Sequence, residues 1–211
     1  MLPRRVGVTQ LVGCRDLIGI PKKAINPLDR SSLVSCVSCQ CTAPAAAPYN
    51  NVMRKDPIRL AELRRQLILD SSAEKAYDDI TKLMSESLEV PIAMINFMDA
   101  DRDWFKSRVG FPSTESPVDT SFCESFFSSD KDVIVVPDTL QSEQFSQHPL
   151  VTGEPHVRFY AAARLVVNGQ TLGTLCAYDV RPRHLLPEQI EHLEALTLAV
   201  FELLQSRTKA E

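Results

Sequence analysis

Pro91-Ile92-Ala93-Met94-Ile95-Asn96-Phe97-Met98, Asp99-Ala100-Asp101 and Arg102-Asp103-Trp104-Phe105-Lys106-Ser107 form the stretch on which the reading of this fold turns. Ile92 to Met98 is a short apolar run bounded by a proline and by aspartates, which reads as a strand buried on both faces. Asp99 to Asp101 reads as a turn, and Trp104 to Val109 alternates as the returning strand. Strand neighbours point to opposite faces, so one of Trp104 and Phe105 enters the core and the other faces away from it. Asp99, Asp101 and Asp103 alternate like the first ligands of a calcium loop. Such a loop needs Gly at its sixth position and Glu at its twelfth. Trp104 and Gly110 stand there, so a turn with solvated carboxylates is the better reading.

Working outward, Asp119 to Phe127 reads as a short helix with Phe122, Phe126 and Phe127 on one side, and Val133 to Val136 as a short β-branched strand. Residues 137–157 are polar, with short helical turns. Arg158 to Val167 and Thr171 to Tyr178 flank Asn168-Gly169, the strongest hairpin signal in the chain. Pro187 opens a last helix whose apolar face is Ile190, Leu193, Leu196, Val200, Leu203 and Leu204, with Glu188 complementing the helix dipole. Upstream, Pro57 suits the first position of a helix carrying Leu60, Leu63, Leu67 and Ile68. Ser71 and Glu74 form a capping-box signature for a second helix, with a stripe of Ala73, Ala76, Tyr77, Ile80, Leu83, Met84 and Leu88. Two helices, antiparallel strands with an irregular excursion, and a final helix make an α+β fold with helices against one sheet face.

The same pieces, in chain order, carry a family resemblance. Pro91-Ile92-Ala93, the Asp-x-Asp-Arg-x-Trp-Phe turn at 99–105, Asp119-Thr120-Ser121-Phe122-Cys123, Val136-Pro137-Asp138, His148-Pro149-Leu150-Val151, Arg158-Phe159-Tyr160-Ala161 and Gly173-Thr174-Leu175-Cys176-Ala177-Tyr178-Asp179 closely resemble the bacterial GAF domain, as found beside histidine kinases and diguanylate cyclases. The resemblance covers about residues 57–205. It implies a central antiparallel sheet, helices on one face, and a roof of loops and short helices over a small-ligand pocket on the other. Two departures from the family pattern touch the pocket wall. Ala162-Ala163-Arg164-Leu165 replaces the usual Gly-Ala-Pro-Leu-like turn, and Glu143-Gln144-Phe145 removes a basic position.

The candidate site residues come from these same segments. The resemblance places Trp104 in the pocket wall, with core packing as the competing reading; Phe122 and Phe126 flank Cys123 on the roof helix. Arg158 entering a sheet needs a partner, either Asp138 in a structural salt bridge or an anionic ligand. Tyr160 lies two residues further along the same strand. A polar-lined hollow is expected beneath the Trp104–Cys123–Tyr160 side. Cys123 and Cys176 read as buried small hydrophobes, or as a redox pair where they face one another.

The resulting expectation is a stand-alone sensory or regulatory domain that binds a small molecule or senses redox state. It would be a homodimer through its first and last helices, acting on a separate effector protein. Two alternatives stay open: a free methionine-(R)-sulfoxide reductase using Cys123 and Cys176, and a non-ligand-binding dimerisation or interaction module. The ligand or cofactor is not named by the sequence. His148, His156, His184 and His192 have no metal-ligand spacing, and seven glycines supply neither a P-loop nor a dinucleotide fingerprint.

Net charge of −4 argues against a nucleic-acid surface. With no long apolar run there is no spanning helix to read, and the cytoplasm is the default. Residues 1–52 differ in character from the rest of the chain: Arg4, Arg5, Arg15, Lys22, Lys23 and Arg30 stand against Asp16 and Asp29 alone. A disordered arm, an acid-poor targeting peptide and a start codon set too early compete for this extension, which is treated as silent; residues 53–211 are taken as the domain. Cys36, Cys39 and Cys41 lack a fourth ligand for a closed zinc site, so a low-complexity tail is the reading.

Overall fold

A computed structural model describes residues 49–209; the cysteine cluster and most of the expected extension lie outside the described residues. Helix α1 (Tyr49–Arg54) leads into α2 (Pro57–Arg65), capped by Asp56, whose Oδ1 accepts the backbone N–H of Ile58 at 2.8 Å and of Arg59 at 2.9 Å. Leu60, Leu63 and Ile68 are buried as the spacing predicts. Leu67 is exposed, because the helix has ended and this residue has a positive φ.

Helix α3 (Lys75–Ser87) begins without the expected capping box. The Ser71 hydroxyl donates to Ile68 O and accepts from Lys106, while the Glu74 carboxylate is taken by Lys106 at 2.6 Å and by Arg207. Both groups are therefore spent on tertiary partners. On α3 the buried stripe is Tyr77, Thr81, Met84 and Leu88, whereas Ala76 and Leu83 are exposed.

Six strands come next among the described residues: β1 (Ile92–Met98), β2 (Arg102–Val109), β3 (Glu115–Pro117), β4 (Val133–Val136), β5 (Phe159–Val167) and β6 (Gln170–Asp179). They form one sheet in the order β3-β2-β1-β6-β5-β4, every pair antiparallel. Asn168 and Gly169 both take positive φ, as a tight hairpin of this kind requires, and join β5 to β6. Gly173 allows close strand approach, since a Cβ there would sit 2.0 Å from Asn96 O.

The strand period sorts the side chains cleanly. Ala93, Ile95, Phe97, Trp104, Phe159, Ala161, Leu175 and Ala177 face α2, α3 and the last helix α5 (Pro187–Lys209). On α5, Leu193, Val200 and Leu204 are fully buried against them. Met94, Met98, Phe105, Tyr160, Ala162, Cys176 and Tyr178 face the other way. That face is roofed by two 3-10 segments, Val118–Thr120 and Phe122–Ser128, and by α4 (Pro149–Thr152). The expected α+β arrangement of helices on one face and a roof on the other is the one observed.

Candidate functional site

Much of the roof is filled by its own aromatic rings. Phe122 lies 5.1 Å from Tyr160, 5.5 Å from Tyr178, 5.0 Å from Phe145 and 4.0 Å from the His148 ring, centroid to centroid. Phe122, Cys123, Phe126 and Tyr160 are all essentially inaccessible. The side of the roof around Cys123 and Tyr160 is therefore closed to solvent by its own side chains. Trp104 stands apart from them on the helix side, with its ring 6.4 Å from Phe97.

A cavity of about 290 Å³ does exist on the roof face, displaced toward β1, β2 and β3. Its walls are mainly apolar: Ile92, Met94, Phe105, Phe111, Leu150, Pro155, Val157 and Tyr178. Asp103, Ser121, Thr120 and Ser116 supply polar edges, with Glu115 at the β3 side. None of the seven expected ligand residues lines it, although four of its lining residues are their immediate neighbours in sequence: Asp103, Phe105, Ser121 and Val157. The alternation of β2 explains one case. Trp104 points to the helices, so Asp103 and Phe105 point to the cavity.

Asp103 is held by a buried network that sequence reading missed. Its Oδ1 accepts from Arg54 at 2.8 Å, and its Oδ2 accepts from Asn96 at 3.0 Å and from Ser121 at 2.5 Å. Arg54 is fully buried, also pairs with Glu124, and donates to the carbonyls of Asp99 at 2.6 Å and Arg102 at 2.5 Å. Burial works against the Arg54 charge, but Asp103 and Glu124 outweigh it and hold the guanidinium above its ordinary range. Burial also leaves Glu124 raised despite Arg54. No local pattern announces Arg54; only its tertiary partners reveal it. No Lys, Arg or His is among the residues lining the cavity.

Cys123 and Cys176 belong to the same buried cluster. Cys123 Sγ lies 3.0 Å from Thr174 Oγ1 and accepts from Tyr160 OH at 3.6 Å, while Cys176 Sγ donates to Met94 O at 3.5 Å. The neighbouring Cys176 thiol favours a Cys123 thiolate against the cost of burial, whereas burial pushes Cys176 well up. Neither thiol lines the cavity. Arg158 grips Asp138 in bidentate fashion at 2.9 and 2.8 Å, as the structural alternative expected. Asp138 is held below the usual carboxylate range by that guanidinium. The turn aspartates diverge: Asp99 turns to Arg102 and Ala100 N, Asp101 to Lys55, and Asp103 to Arg54. Among the described residues no group of three His, Cys, Asp or Glu could hold a metal, and no helix is long and apolar enough to cross a membrane.

Comparison with known proteins places this geometry. The family model described as "GAF domain" matches residues 72–200. A cyclic di-GMP phosphodiesterase of Pseudomonas aeruginosa is 33% identical over 144 residues, which is 66% of this chain and 24% of that protein. The chain thus spans about a quarter of that relative. The chromophore-binding domain of an unusual bacteriophytochrome from R. palustris superposes with TM-score 0.54 at 12% identity, over 73% of this chain and 62% of that one. The GAF domain of an Acinetobacter phosphoenolpyruvate-protein phosphotransferase gives 0.54 at 14%, over 74% and 98%. A free methionine-R-sulfoxide reductase from Neisseria meningitidis, in complex with its substrate, gives 0.53 at 13%, over 79% and 96%. These three likenesses are of fold.

Proposed function

This chain belongs to the GAF domain family, and from that premise we propose that it is a sensory or regulatory domain taking a small, largely apolar, neutral or cationic molecule into the 290 Å³ cavity. The lining carries the reading: apolar walls, a few hydroxyls, the Asp103 carboxylate and no basic side chain. Few well-placed polar groups on apolar walls are what a small-molecule site offers. An anion would enter with no cation to meet it, because Arg54 is already shared between Asp103 and Glu124. Occupancy would bear on Met94, Phe105 and Tyr178, whose strands carry α3 and α5 on their opposite face. That is the route by which a signal reaches an effector. Homodimerisation would use apolar residues left exposed on the helices, Leu83 and Leu198.

Calorimetry with one ring in three charge states tests the reading. Tryptamine should bind most tightly and indole less so, while indole-3-acetate should be at least about tenfold weaker than tryptamine. Equal binding of the acetate removes the charge argument. Failure of all three, together with native mass spectra showing no retained small molecule, leaves the interaction-module reading in place, which the filled aromatic half of the roof also fits.

The reductase reading has one observation in its favour, the burial of Cys123 and Cys176 as free thiols in one cluster. Against it, neither thiol reaches the cavity. Thioredoxin-dependent turnover of free methionine sulfoxide, abolished in Cys123→Ser, would establish it. The same cluster supports sensing of redox state, read as a reversible change in free-thiol count.

A further inference from the structure

A second cavity, of about 400 Å³, lies on the other side of Arg54, between the start of α2, the end of the Phe122–Ser128 segment and the β5–β6 hairpin. Its chemistry is the reverse of the first. Two arginines line it, Arg59 and Arg164, and its single lining carboxylate, Asp56, is spent capping α2. The guanidinium of Arg59 stands 5.4 Å over the Phe127 ring and that of Arg164 stands 5.6 Å over Phe126, so consecutive rings hold the two cations at one wall.

Arg59 is the unusual member. It is 2% exposed and forms no ion pair among the described residues. Its Nε and Nη2 donate to the backbone carbonyl of Arg54, and Nη1 reaches Thr171 O at 3.3 Å. A guanidinium has five N–H donors, so part of the fork is left without an acceptor among the described residues. Burial and Arg54 pull its pKa down to about 10, against the opposing charges of Asp99, Glu124 and Asp56, which still leaves it charged at neutral pH. A buried cation with no carboxylate in direct contact is costly unless something else supplies the counter-charge. Arg164 donates through Nε and Nη2 to the carbonyls of Lys131 and Ser129 and pairs with the exposed Asp132 at 3.3 Å, which leaves its Nη1 without an acceptor among the described residues. Beside the two cations, Val52, Met53 and Ile58 leave apolar surface uncovered.

We propose that this cavity is a second ligand site, for a small organic anion whose phosphate or carboxylate is held by Arg59 and Arg164 and whose apolar part lies on Met53 and Ile58. A planar guanidinium fork suits either oxyanion. The proposal does not rest on occupancy of the first cavity, which has the opposite charge preference. Arg54 connects the two: its backbone carbonyl holds Arg59 while its side chain holds Asp103.

The test is calorimetry and thermal melting of the 211-residue chain with phenyl phosphate and with benzoate, against benzyl alcohol as the uncharged control. Phenyl phosphate or benzoate should bind saturably and raise the melting temperature, while benzyl alcohol should do neither; whichever anion binds more tightly identifies the oxyanion. Arg164→Gln, at a partly solvated position, should weaken binding by at least about tenfold without unfolding the chain. Arg59→Met should abolish binding, and where that variant fails to fold, Arg164→Gln decides alone. Tryptamine affinity should be unchanged in Arg164→Gln, separating this site from the first. The proposal is overturned by absence of binding of both anions up to about 10 mM, an affinity of negligible strength, or by binding that survives Arg164→Gln unaltered.

Discussion

The two faces of the single sheet are built from different chemistry. The helix face meets α2, α3 and α5 through aliphatic side chains and a few rings, and its half-buried ion pair, Lys106 with Glu74, sits at the rim where α3 begins. The roof face carries Tyr160, Tyr178, Phe105, both thiols and Asp103, covered by segments too short to form a continuous apolar ridge. Long amphipathic helices fill the space against a sheet densely. Short irregular segments leave gaps, and polar groups must be tied to one another to tolerate burial. Stability is thus concentrated on one face, and room for a ligand on the other.

The comparison breaks most severely at Arg54, the one side chain on which the roof face depends for charge balance. Arg54→Met leaves Asp103 and Glu124 buried without their cation, which should cost about 3–5 kcal/mol. The sign of its pH dependence is diagnostic. Glu124 is already raised by burial and rises further without the guanidinium, so its folded state binds a proton more readily than its unfolded state. Stability lost at neutral pH should therefore return as pH falls through that raised value. Urea melts across pH 5–7 check this. A deficit that is constant with pH would mean that Arg54 acts by packing alone.

A helix-face cavity sharpens the contrast. Leu193 is fully buried at the centre of the α5 contact, and Leu193→Ala should cost about 3 kcal/mol. Tryptamine affinity of the folded fraction should change by roughly severalfold, because the strands that line the cavity carry α5 on their other face and coupling is reciprocal. An unchanged affinity would show that the two faces are energetically separate and would remove that route to an effector.

What the sequence disclosed obeys the same division. The bounded apolar run of β1, the period of 3.6 in α5 and the Asn168-Gly169 turn are local signals, and they yielded the first strand, the last helix and the hairpin. The Asp138–Arg158 pair was legible because an arginine entering a strand needs a counter-charge. The cavity was not. Its lining comes from β1, β2, β3, the 3-10 turn at Thr120 and the loop around Pro155, which no spacing connects. Of the two readings open for Trp104 the structure shows core packing, and its strand neighbours Asp103 and Phe105 face the cavity, since adjacent residues of a strand point to opposite faces. Ser71 and Glu74 had the composition of a cap, yet Lys106 from β2 claimed both.

The smallest effect is confined to the roof. His148 caps α4, its Nδ1 accepting Leu150 N–H at 3.2 Å, while its ring lies against Phe122 and Nε2 is buried without a partner. Burial lowers its pKa to about 4, opposed only by the Asp119 charge. The unfolded chain takes up this proton near pH 6.5, and the fold resists it until about pH 4. The contribution is therefore complete above 6.5, is lost as pH falls between those values, and is flat below them. The shift corresponds to about 2 kcal/mol once partial solvent screening is allowed for. His148→Asn keeps a capping acceptor and removes the titration. Between pH 6.5 and 4.5 the wild-type chain should lose about 1–2 kcal/mol more than this variant. Carboxylates held down by cations, Glu74 and Asp138, lose their contributions at lower pH in both proteins and cancel from the difference. Parallel stability curves for the two proteins would place the His148 ring in solvent and the roof over α4 open.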